Sequence, residues 1–434
     1  MTRMPRGDSV QRAGLAGMVL GVALFLNACA APIDLTQEAT SGPTLGTEAA
    51  GSPARPTSTQ DQVSISLSVW LPPGFNPNGG SLAAGILQAR LAEFAEQHSQ
   101  VSLEVRVKAE EGTGGLLDSL LAAQAAAPLA LPDLILLPHT QLSSAVSSQL
   151  LFPLSGLTEI LDSDDWYSFA LELSQVEDAS YGLPFAADAL ILAYRPAAVV
   201  KVPSDWQALL DTGLQLGFAA ADPDALFMLT QLNAFASASE QDIETGFNAG
   251  SLTAVFDFFA AAHEEDIFPF WLSQYQTAEQ SWQAFSEGRV PMVAAWTSRA
   301  FDSRNVDINA APLPTSGGQP FALVKGWVWA VSTPDSERAE LSAELAEFLT
   351  TPEFIAQWTS AAGLLPPRHS SLSAWPPGNK QTLASQVVDT AGALPDEATL
   401  DLWGSPLAQA VVALLKEELT PAEAVQQVLN QVGP

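Results

Sequence analysis

The amino-acid sequence predicts an α/β fold, in which strands and helices alternate along the chain. Residues 63–71 alternate strictly between apolar and polar side chains, which is the period of a strand with one buried face. Residues 82–97 carry apolar side chains near helical spacing, residues 101–107 alternate again, and residues 116–127 return to a helical pattern. This order predicts a parallel or mixed sheet whose crossover connections are right-handed.

The next strand and several later helices are marked by other signals. Leu134–Leu137 is a short apolar run directly after Pro132-Asp133, and it predicts a strand that is covered on both faces. Thr420-Pro421-Ala422-Glu423 combines an N-cap, a proline at the first helical position and the glutamate of a capping box. Residues 277–280 and 351–353 have similar starts, so helices are expected to begin at all three places.

The composition bounds the size of the core and the class of partner. With 434 residues, 47% of them hydrophobic, the chain is long enough for one large core or for two lobes. Its 48 Asp and Glu against 17 Lys and Arg give a net charge of -31. Nucleic acids and anionic lipid surfaces are bound through clustered cations, so neither is an expected partner.

Motifs for metal, cofactor or catalytic chemistry are absent from the sequence. A single cysteine excludes an intrachain disulfide, and four histidines leave little material for a metal centre. There is no phosphate-binding loop ending in Lys-Ser or Lys-Thr, no GxSxG and no HExxH. We therefore predict no metal, no cofactor and no enzymatic activity, although 48 acids leave open the paired carboxylates of a glycoside hydrolase. The 11 tryptophans suit stacking on sugar rings.

The amino terminus has the pattern of an export signal. Three arginines precede a nearly continuous apolar segment at residues 13–26, which is too short for a comfortable membrane span. Leu26-Asn27-Ala28-Cys29 follows and resembles the lipobox of bacterial lipoproteins. The resemblance implies that residues 1–28 are removed and that Cys29 is acylated and anchors the chain to a membrane. Residues 29–61 contain the anchor and a Ser-, Thr-, Pro- and Gly-rich stretch that predicts a disordered tether.

Four blocks follow one another in the remainder of the chain, and their order is informative. They are Val69-Trp70 with the later Pro132-Asp133-Leu134, YGLPFAADALILAYR at residues 181–195, the stretch from Phe285 through Trp296 to Pro314, and the stretch from Lys325-Gly326-Trp327 to Arg368. Their order and spacing resemble the family 1 extracellular solute-binding proteins of ABC transporters, the group that includes maltodextrin-binding proteins.

The resemblance implies a two-lobed fold of the type II periplasmic-binding-protein class, with segments that cross a hinge. The first lobe would hold residues 62–187 and 326–368, and the second would hold residues 188–325 and 369–434. A solute would bind between the lobes of a monomer, and rigid-body closure would bury the solute from both sides. The closed form would then deliver the solute to the permease subunits of an importer.

The resemblance also implies particular ligand-binding residues. Asp188 corresponds to an acid at the lobe crossing, and Trp296 and Trp327 correspond to cleft tryptophans. A hinge acid or helix cap remains open for Asp188, and packing in the core remains open for the two tryptophans. The same correspondence of regions adds Trp403 and Phe227. His139 is added because it follows the Pro132-Asp133 strand near the expected cleft rim, and Arg368 is added at a lobe crossing, where it would either reach the cleft or cap the crossing.

Departures from the family pattern bear on the solute. Where the maltodextrin group has a tryptophan and a later acid in the cleft wall, this chain has Leu137 and Thr140. Maltose itself is therefore not expected, and the predicted solute is an unidentified mono- or oligosaccharide. A polyol, a glycerophosphodiester or a polyamine remains an alternative solute. A secreted carbohydrate-active enzyme and a surface protein without a small ligand remain alternative functions.

Overall fold

The computed structural model describes residues 65–238, 247–302 and 307–433. The predicted signal peptide, Cys29, the tether and the first two residues of the strand expected at 63–71 lie outside the described residues. All of the described residues belong to one compact unit.

Nine strands form one mixed sheet, which confirms the predicted α/β fold. The described residues form eleven strands, nine of them in this sheet: β1 (Ile65–Leu71), β2 (Val101–Val107), β3 (Leu134–Pro138), β4 (Gln175–Val176), β5 (Ala179–Ser180), β6 (Leu183–Tyr194), β7 (Leu216–Gly217), β8 (Met292–Trp296), β9 (Asn309–Ala311), β10 (Ala322–Val331) and β11 (Ala391–Ala393). The order in the large sheet is β2-β1-β3-β10-β6-β8-β7, with β9 on β6 and β11 on β10, while β4 and β5 pair separately. β1 is parallel to β2 and β3, and β10 is antiparallel to β3 and β6.

Helices connect and cover these strands. They are α1 (Leu82–Gln97), α2 (Leu116–Ala126), α3 (Leu142–Ser147), α4 (Ser168–Ser174), α5 (Trp206–Leu210), α6 (Leu226–Ala238), α7 (Ala249–Glu264), α8 (Ala278–Ser286), α9 (Thr297–Ala300), α10 (Ser336–Leu349), α11 (Pro352–Ala362), α12 (His369–Ser373), α13 (Asn379–Val388), α14 (Glu397–Leu415) and α15 (Pro421–Val432). The predicted helices at 82–97 and 116–127 and the predicted strands at 101–107 and 134–137 are confirmed. All five residues of β3 are buried, as expected for a strand covered on both faces.

The predicted helix starts are confirmed, and two of them carry the full capping box. Thr420 accepts a hydrogen bond from the Glu423 backbone and the Glu423 side chain accepts one in return. Thr277 and Gln280 form the same reciprocal pair at the start of α8. α11 begins with a proline after Thr351, but the Thr351 side chain makes no capping hydrogen bond.

β6 and β10 are the two strands that link the ends of the sheet. Residues 183–189 of β6 pair with β10, which also pairs with β3, whereas residues 190–194 pair with β8. We call the part built on β1, β2 and β3 the first half of the sheet, and the part built on β7, β8 and β9 the second half. The lobe limits at 187/188 and 325/326 fall inside β6 and β10 and stay a prediction.

The two faces of the β6–β10 pair are packed differently. On one face a single hydrophobic cluster runs through both halves and includes Ala187, Ile191, Val324 and Val328. On the other face two separate clusters form, one around Phe185 and Trp329 in the first half and one around Leu192 and Leu323 in the second half. Asp188 and Lys325, which are paired across the two strands, lie between these separate clusters. We call this second side the interrupted face.

α14 is long and apolar enough to span a membrane by length and composition. This measure does not distinguish a span from a buried helix of a folded core. Leu407, Val411 and Leu414 of α14 pack into the cluster of the second half, so here the helix is part of that core.

Candidate functional site

Asp188 is held inside the interrupted face by the segment that follows β8. Its side chain is only 7% exposed. Oδ1 accepts hydrogen bonds from Thr297 Oγ1 at 2.6 Å and Ser298 N at 3.0 Å, and Oδ2 accepts one from Ser298 Oγ at 2.5 Å. These donors open α9 directly after Trp296, so an acid on one linking strand is tied to the end of the neighbouring strand.

The environment of Asp188 opposes its ionisation in part. Burial raises the pKa of Asp188, while hydrogen bonds from Ser298 and Thr297 and the charge of Lys325 act to lower it. An ionised carboxylate offers about four acceptor positions, so three protein donors leave room for one more, such as a ligand hydroxyl.

Lys325 is a cation of the interrupted face and is bound by a loop of the first half. Its Nζ contacts Glu110 Oε1 and lies 3.9 Å from Glu111 Oε1. Both glutamates follow β2, and the Gln141 side chain holds this loop by donating to the Glu110 carbonyl at 3.1 Å. The loop of the first half therefore reaches over the interrupted face.

Acids of the second half face the same loop. Asp224 follows β7, and Glu397 and Asp401 occupy the first turns of α14. α14 packs directly on the turn that carries Asp224, because a Cβ added at Gly404 would lie 2.8 Å from the Asp224 Cα. We call Glu110, Glu111, Asp224, Glu397 and Asp401 the facing acids.

The facing acids repel one another. Burial raises the pKa of Glu397, and the charges of Asp401, Glu111, Asp224 and Asp396 raise it further. Burial and Asp401 also raise the pKa of Asp224, against the opposing charge of Lys325. Nearby Asp222 has its pKa raised to about 6, mainly by burial.

His139 lies at the border between the two halves. It begins the short 3-10 turn that follows β3 and is 9% exposed. Burial lowers the pKa of His139 to about 4, although the Leu394 carbonyl and the Asp396 carboxylate act to raise it. The ring is therefore neutral at pH 7, and its Nδ1 has no hydrogen-bond partner among the described residues.

The two tryptophans predicted from the family blocks flank this region. Trp296 ends β8 opposite Leu190 and is half-buried. Trp327 is 6% exposed, packs against Phe75 with ring centroids 5.0 Å apart, and has the Lys325 Nζ 5.5 Å from its ring centroid. Within the described part of the chain, the Trp327 Nε1 donor is buried and without a partner.

The three other predicted residues are buried elsewhere in the two halves. Trp403 of α14 is 9% exposed and meets Phe247 edge to face at 5.2 Å. Phe227 packs in an aromatic group of the second half with Phe218, at 4.3 Å between centroids. Arg368 stacks on Trp166 at 3.9 Å and pairs with Asp165 at 3.3 Å.

The structure thus brings Asp188, Trp296, Trp327 and His139 to the border between the halves, and places Phe227 and Arg368 among core aromatics. Ligand binding by all seven residues stays a prediction.

The sequence analysis did not identify Lys325 or the facing acids as site residues. Lys325 was noted only as the neighbour of Gly326-Trp327, and the acids come from three segments that are far apart in the chain. A chain with 48 acidic residues gives no local signal for which of them meet.

Comparison with known proteins identifies the family. Residues 89–383 match the family model described as bacterial extracellular solute-binding protein. The chain belongs to this family. A search of curated proteins found no significant match. Family membership places the protein outside the cytoplasm and makes solute binding its general role, and the family and the structures below are binding proteins, not enzymes.

Solved structures of solute-binding proteins share the fold of this chain. Maltose-bound MalE3 of T. maritima has a TM-score of 0.65 at 17% identity, covering 85% of this chain and 99% of that chain. The cyclic alpha-maltosyl-1,6-maltose binding protein of Arthrobacter globiformis has a TM-score of 0.70 at 15% identity, covering 85% and 98%. A family 1 extracellular solute-binding protein of Bifidobacterium longum subsp. infantis has a TM-score of 0.67 at 15% identity, with the same coverages. These likenesses confirm the predicted two-lobed solute-binding fold.

Proposed function

We propose that this solute-binding protein captures a sugar or oligosaccharide between its two lobes and delivers it to the permease of an ABC importer. The family supports solute capture, and the structural neighbours include proteins solved with maltose and with maltotetraose. The lobes would be residues 62–187 with 326–368 and residues 188–325 with 369–434, and they would close as rigid bodies about β6 and β10.

The arrangement of Asp188 and Trp296 is the observation that carries the sugar assignment. The backbone and hydroxyl donors that hold the Asp188 carboxylate come directly after Trp296, so the acid and the indole are fixed by one short segment. A sugar has apolar C–H faces that stack on indole and hydroxyl groups that donate to carboxylate. Trp296 is half-buried, so its ring offers a face to such a guest.

The other predicted residues have supporting roles in this proposal. Trp327 and His139 lie at the border of the halves, and each has a buried ring nitrogen without a partner among the described residues that a solute hydroxyl would satisfy. Trp403 would contact the solute from α14, next to the turn that carries Asp224. Phe227 and Arg368 are kept as proposed ligand-binding residues, although both pack against aromatic side chains of the core.

We further propose that the protein is a lipoprotein tethered through Cys29. The lipobox-like Leu26-Asn27-Ala28-Cys29 supports this, and the acyl chains added to one cysteine are enough for stable anchoring. Residues 29–61 would then let the folded body move above the membrane. Mass spectrometry of the mature amino terminus checks the anchor, and an unmodified Cys29 would remove it from the proposal.

Binding measurements test the sugar assignment. A thermal-shift screen against mono- and oligosaccharides should reveal a stabilising sugar, because a ligand that binds only the folded state raises its stability by mass action. Asp188→Ala and Trp296→Ala should each weaken that sugar's affinity by about tenfold or more, or about 1.4 kcal/mol.

Glu340→Gln is the matched control, since Glu340 is an exposed acid of α10, away from the site. Unchanged affinity in both site variants would refute the site assignment. Hydrolysis of a glycoside by the purified protein would refute a pure binding role.

A further inference from the structure

The loop after β1 lies at the edge of the sheet where the border between the halves is built. β1, β2 and β3 are parallel, so the segments that follow their carboxyl ends meet at one edge of the first half. The segment after β3 begins with His139, and the segment after β2 contacts Lys325. Trp327 reaches the same edge, because it pairs with Pro138 at the end of β3. We call residues 72–80, which follow β1, the β1 loop.

The β1 loop is a stiff turn that is closed by hydrogen bonds within itself. Phe75 N donates to the Pro72 carbonyl at 3.0 Å, and Asn76 N donates to the Pro73 carbonyl at 3.2 Å. Gly79 N donates to the Asn76 carbonyl at 3.0 Å. The three prolines of the loop restrict its backbone further, because each fixes its own φ angle. The loop therefore holds its own shape and is attached to the protein through the side chains that it buries.

Phe75 anchors the β1 loop in the aromatic cluster of the first half. It is 4% exposed. Its ring centroid lies 5.0 Å from that of Trp327 and 5.3 Å from that of Trp358, on which it is stacked with an interplanar angle of 15°. Phe185 completes the group at 6.0 Å. The phenyl ring of the loop therefore occupies a place against the Trp327 indole.

The two tryptophans at the border differ in what they offer to a sugar. Trp296 is half-buried, whereas Trp327 is 6% exposed and has both the Phe75 ring and, at 5.5 Å, the Lys325 Nζ against its own ring. Stacking brings an apolar C–H face of the sugar onto the face of an aromatic ring. Of these two tryptophans, Trp296 alone therefore offers a ring face for stacking while Phe75 keeps its position.

We infer that Phe75 sets the length of the saccharide that the protein accepts, because its ring fills the place on Trp327 that a further sugar unit would occupy. The inference rests on the proposed function, since it specifies which sugars the cleft takes. The phenyl ring and a pyranose are both six-membered rings, so loss of the phenyl ring would leave room for about one sugar unit. Phe75 is in this view a steric limit at the end of the cleft, and solutes that end before it do not depend on it.

Chain-length profiles test the inference. Homologous oligosaccharides, from the monosaccharide to the pentasaccharide, are titrated into the wild-type protein and into Phe75→Ala. Glucose and mannose oligomers come first, followed by the oligomers of any other sugar that stabilises the protein in the thermal-shift screen. We expect affinity to stop rising one sugar unit later in Phe75→Ala, and the first oligomer beyond the wild-type limit to bind this variant about tenfold tighter than the wild-type protein. An unchanged limit would overturn the inference.

Leucine variants separate the steric limit from a general loss of packing. Phe75→Ala removes a buried ring, so Phe75→Leu, which keeps an apolar side chain in the cluster, is measured beside it and should show the same shift with a smaller gain. Phe94→Leu is the matched control, because Phe94 is fully buried in the same cluster but lies in the last turn of α1. It should lower stability without moving the length limit. An equal shift in Phe94→Leu, or no shift in Phe75→Leu if Phe75→Ala does not fold, would overturn the inference.

A double variant shows where the added sugar unit binds. Adding Trp327→Ala to Phe75→Ala should abolish the gain for the longer oligomer, because that unit is expected to stack on Trp327. A gain that persists without Trp327 would overturn the inference.

The outcomes distinguish the inference from the proposed function. Sugar binding that is lost in Trp296→Ala, with one length limit shared by the wild-type protein and Phe75→Ala, would leave the proposed function intact and remove the inference. Absence of binding by every sugar in the screen would remove both.

Discussion

One face of the β6–β10 pair is apolar from end to end, whereas the other changes from Phe185 and Trp329 to Asp188 and Lys325 and then back to Leu192. The same two strands therefore do two things at once. Their continuous face joins the halves through a shared core, and their interrupted face leaves a polar border between two separate cores. In the proposed function, the first property would keep the hinge intact, and the second would give the ligand a place to bind.

Gly326 of β10 shows how the backbone allows the two faces to differ. Gly326 points towards the continuous face, where a Cβ would lie 2.2 Å from the Leu173 side chain of α4. α4 therefore packs against bare backbone at the point where β10 passes from one half to the other. Lys325, one residue away, faces the interrupted side and carries charge.

The largest expected effect comes from opening a cavity in the continuous face. Leu173 is fully buried, so Leu173→Ala should lower the free energy of unfolding by about 2–5 kcal/mol, as large-to-small core substitutions do. Solute affinity should be kept in the folded variant, because Leu173 lies on the face opposite Asp188. Chemical denaturation and a binding titration measure the two quantities.

Leu121→Ala is the control for this experiment, because Leu121 is 40% exposed on α2 and should change stability by less than about 0.5 kcal/mol. A loss of affinity in Leu173→Ala as large as that in Asp188→Ala would contradict the separation of the two faces.

The elements of this fold could be predicted from the sequence because each is encoded locally. The alternation of 101–107 and the reciprocal cap at Thr420 both depend on neighbours within a few residues, and both are confirmed. Asp188 could be singled out through its family block, but not its donors Thr297 and Ser298. The Lys325–Glu110 contact and the contact of the Asp224 turn with α14 arise only from tertiary packing, so no local sequence pattern predicts them.

The next effect in size concerns His139 at the border of the halves. The pKa of His139 in the folded protein is about 4, against 6.5 for an unperturbed histidine. Between these two values the imidazole is protonated in the unfolded chain but neutral in the folded protein. Stability contributed by neutral His139 is therefore complete above pH 6.5 and is lost as the pH falls towards 4. The wild-type protein should lose about 2–3 kcal/mol more than His139→Gln between pH 7.5 and pH 4.5.

Unfolding free energies measured for both proteins across this pH range check the sign as well as the size. Above pH 6.5 the difference between them should be constant. Parallel profiles over the whole range would mean that His139 is solvated in the folded protein, which would contradict its burial beside Leu394 and Asp396.

The smallest effect on stability is expected at Asp188, although we propose a large effect of this residue on sugar binding. Asp188→Asn keeps the shape of the side chain and removes the ionisable carboxylate, and the loss of the hydrogen bonds from Thr297 and Ser298 offsets the relief from desolvation. The free energy of unfolding at pH 7 should therefore change by less than about 1 kcal/mol.

The pH dependence gives this prediction a sign. The pKa of Asp188 in the folded protein is raised above its ordinary value of 3.8. Between these two pKa values the folded state binds more protons than the unfolded state, so wild-type stability falls as the pH rises through this range. Relative to Asp188→Asn, the wild-type protein should gain stability as the pH is lowered towards 3.8. The opposite slope would mean that the hydrogen bonds outweigh burial. With the expected slope, ionisation of Asp188 is unfavourable for folding alone, which would fit the proposed role of this carboxylate in binding a solute hydroxyl.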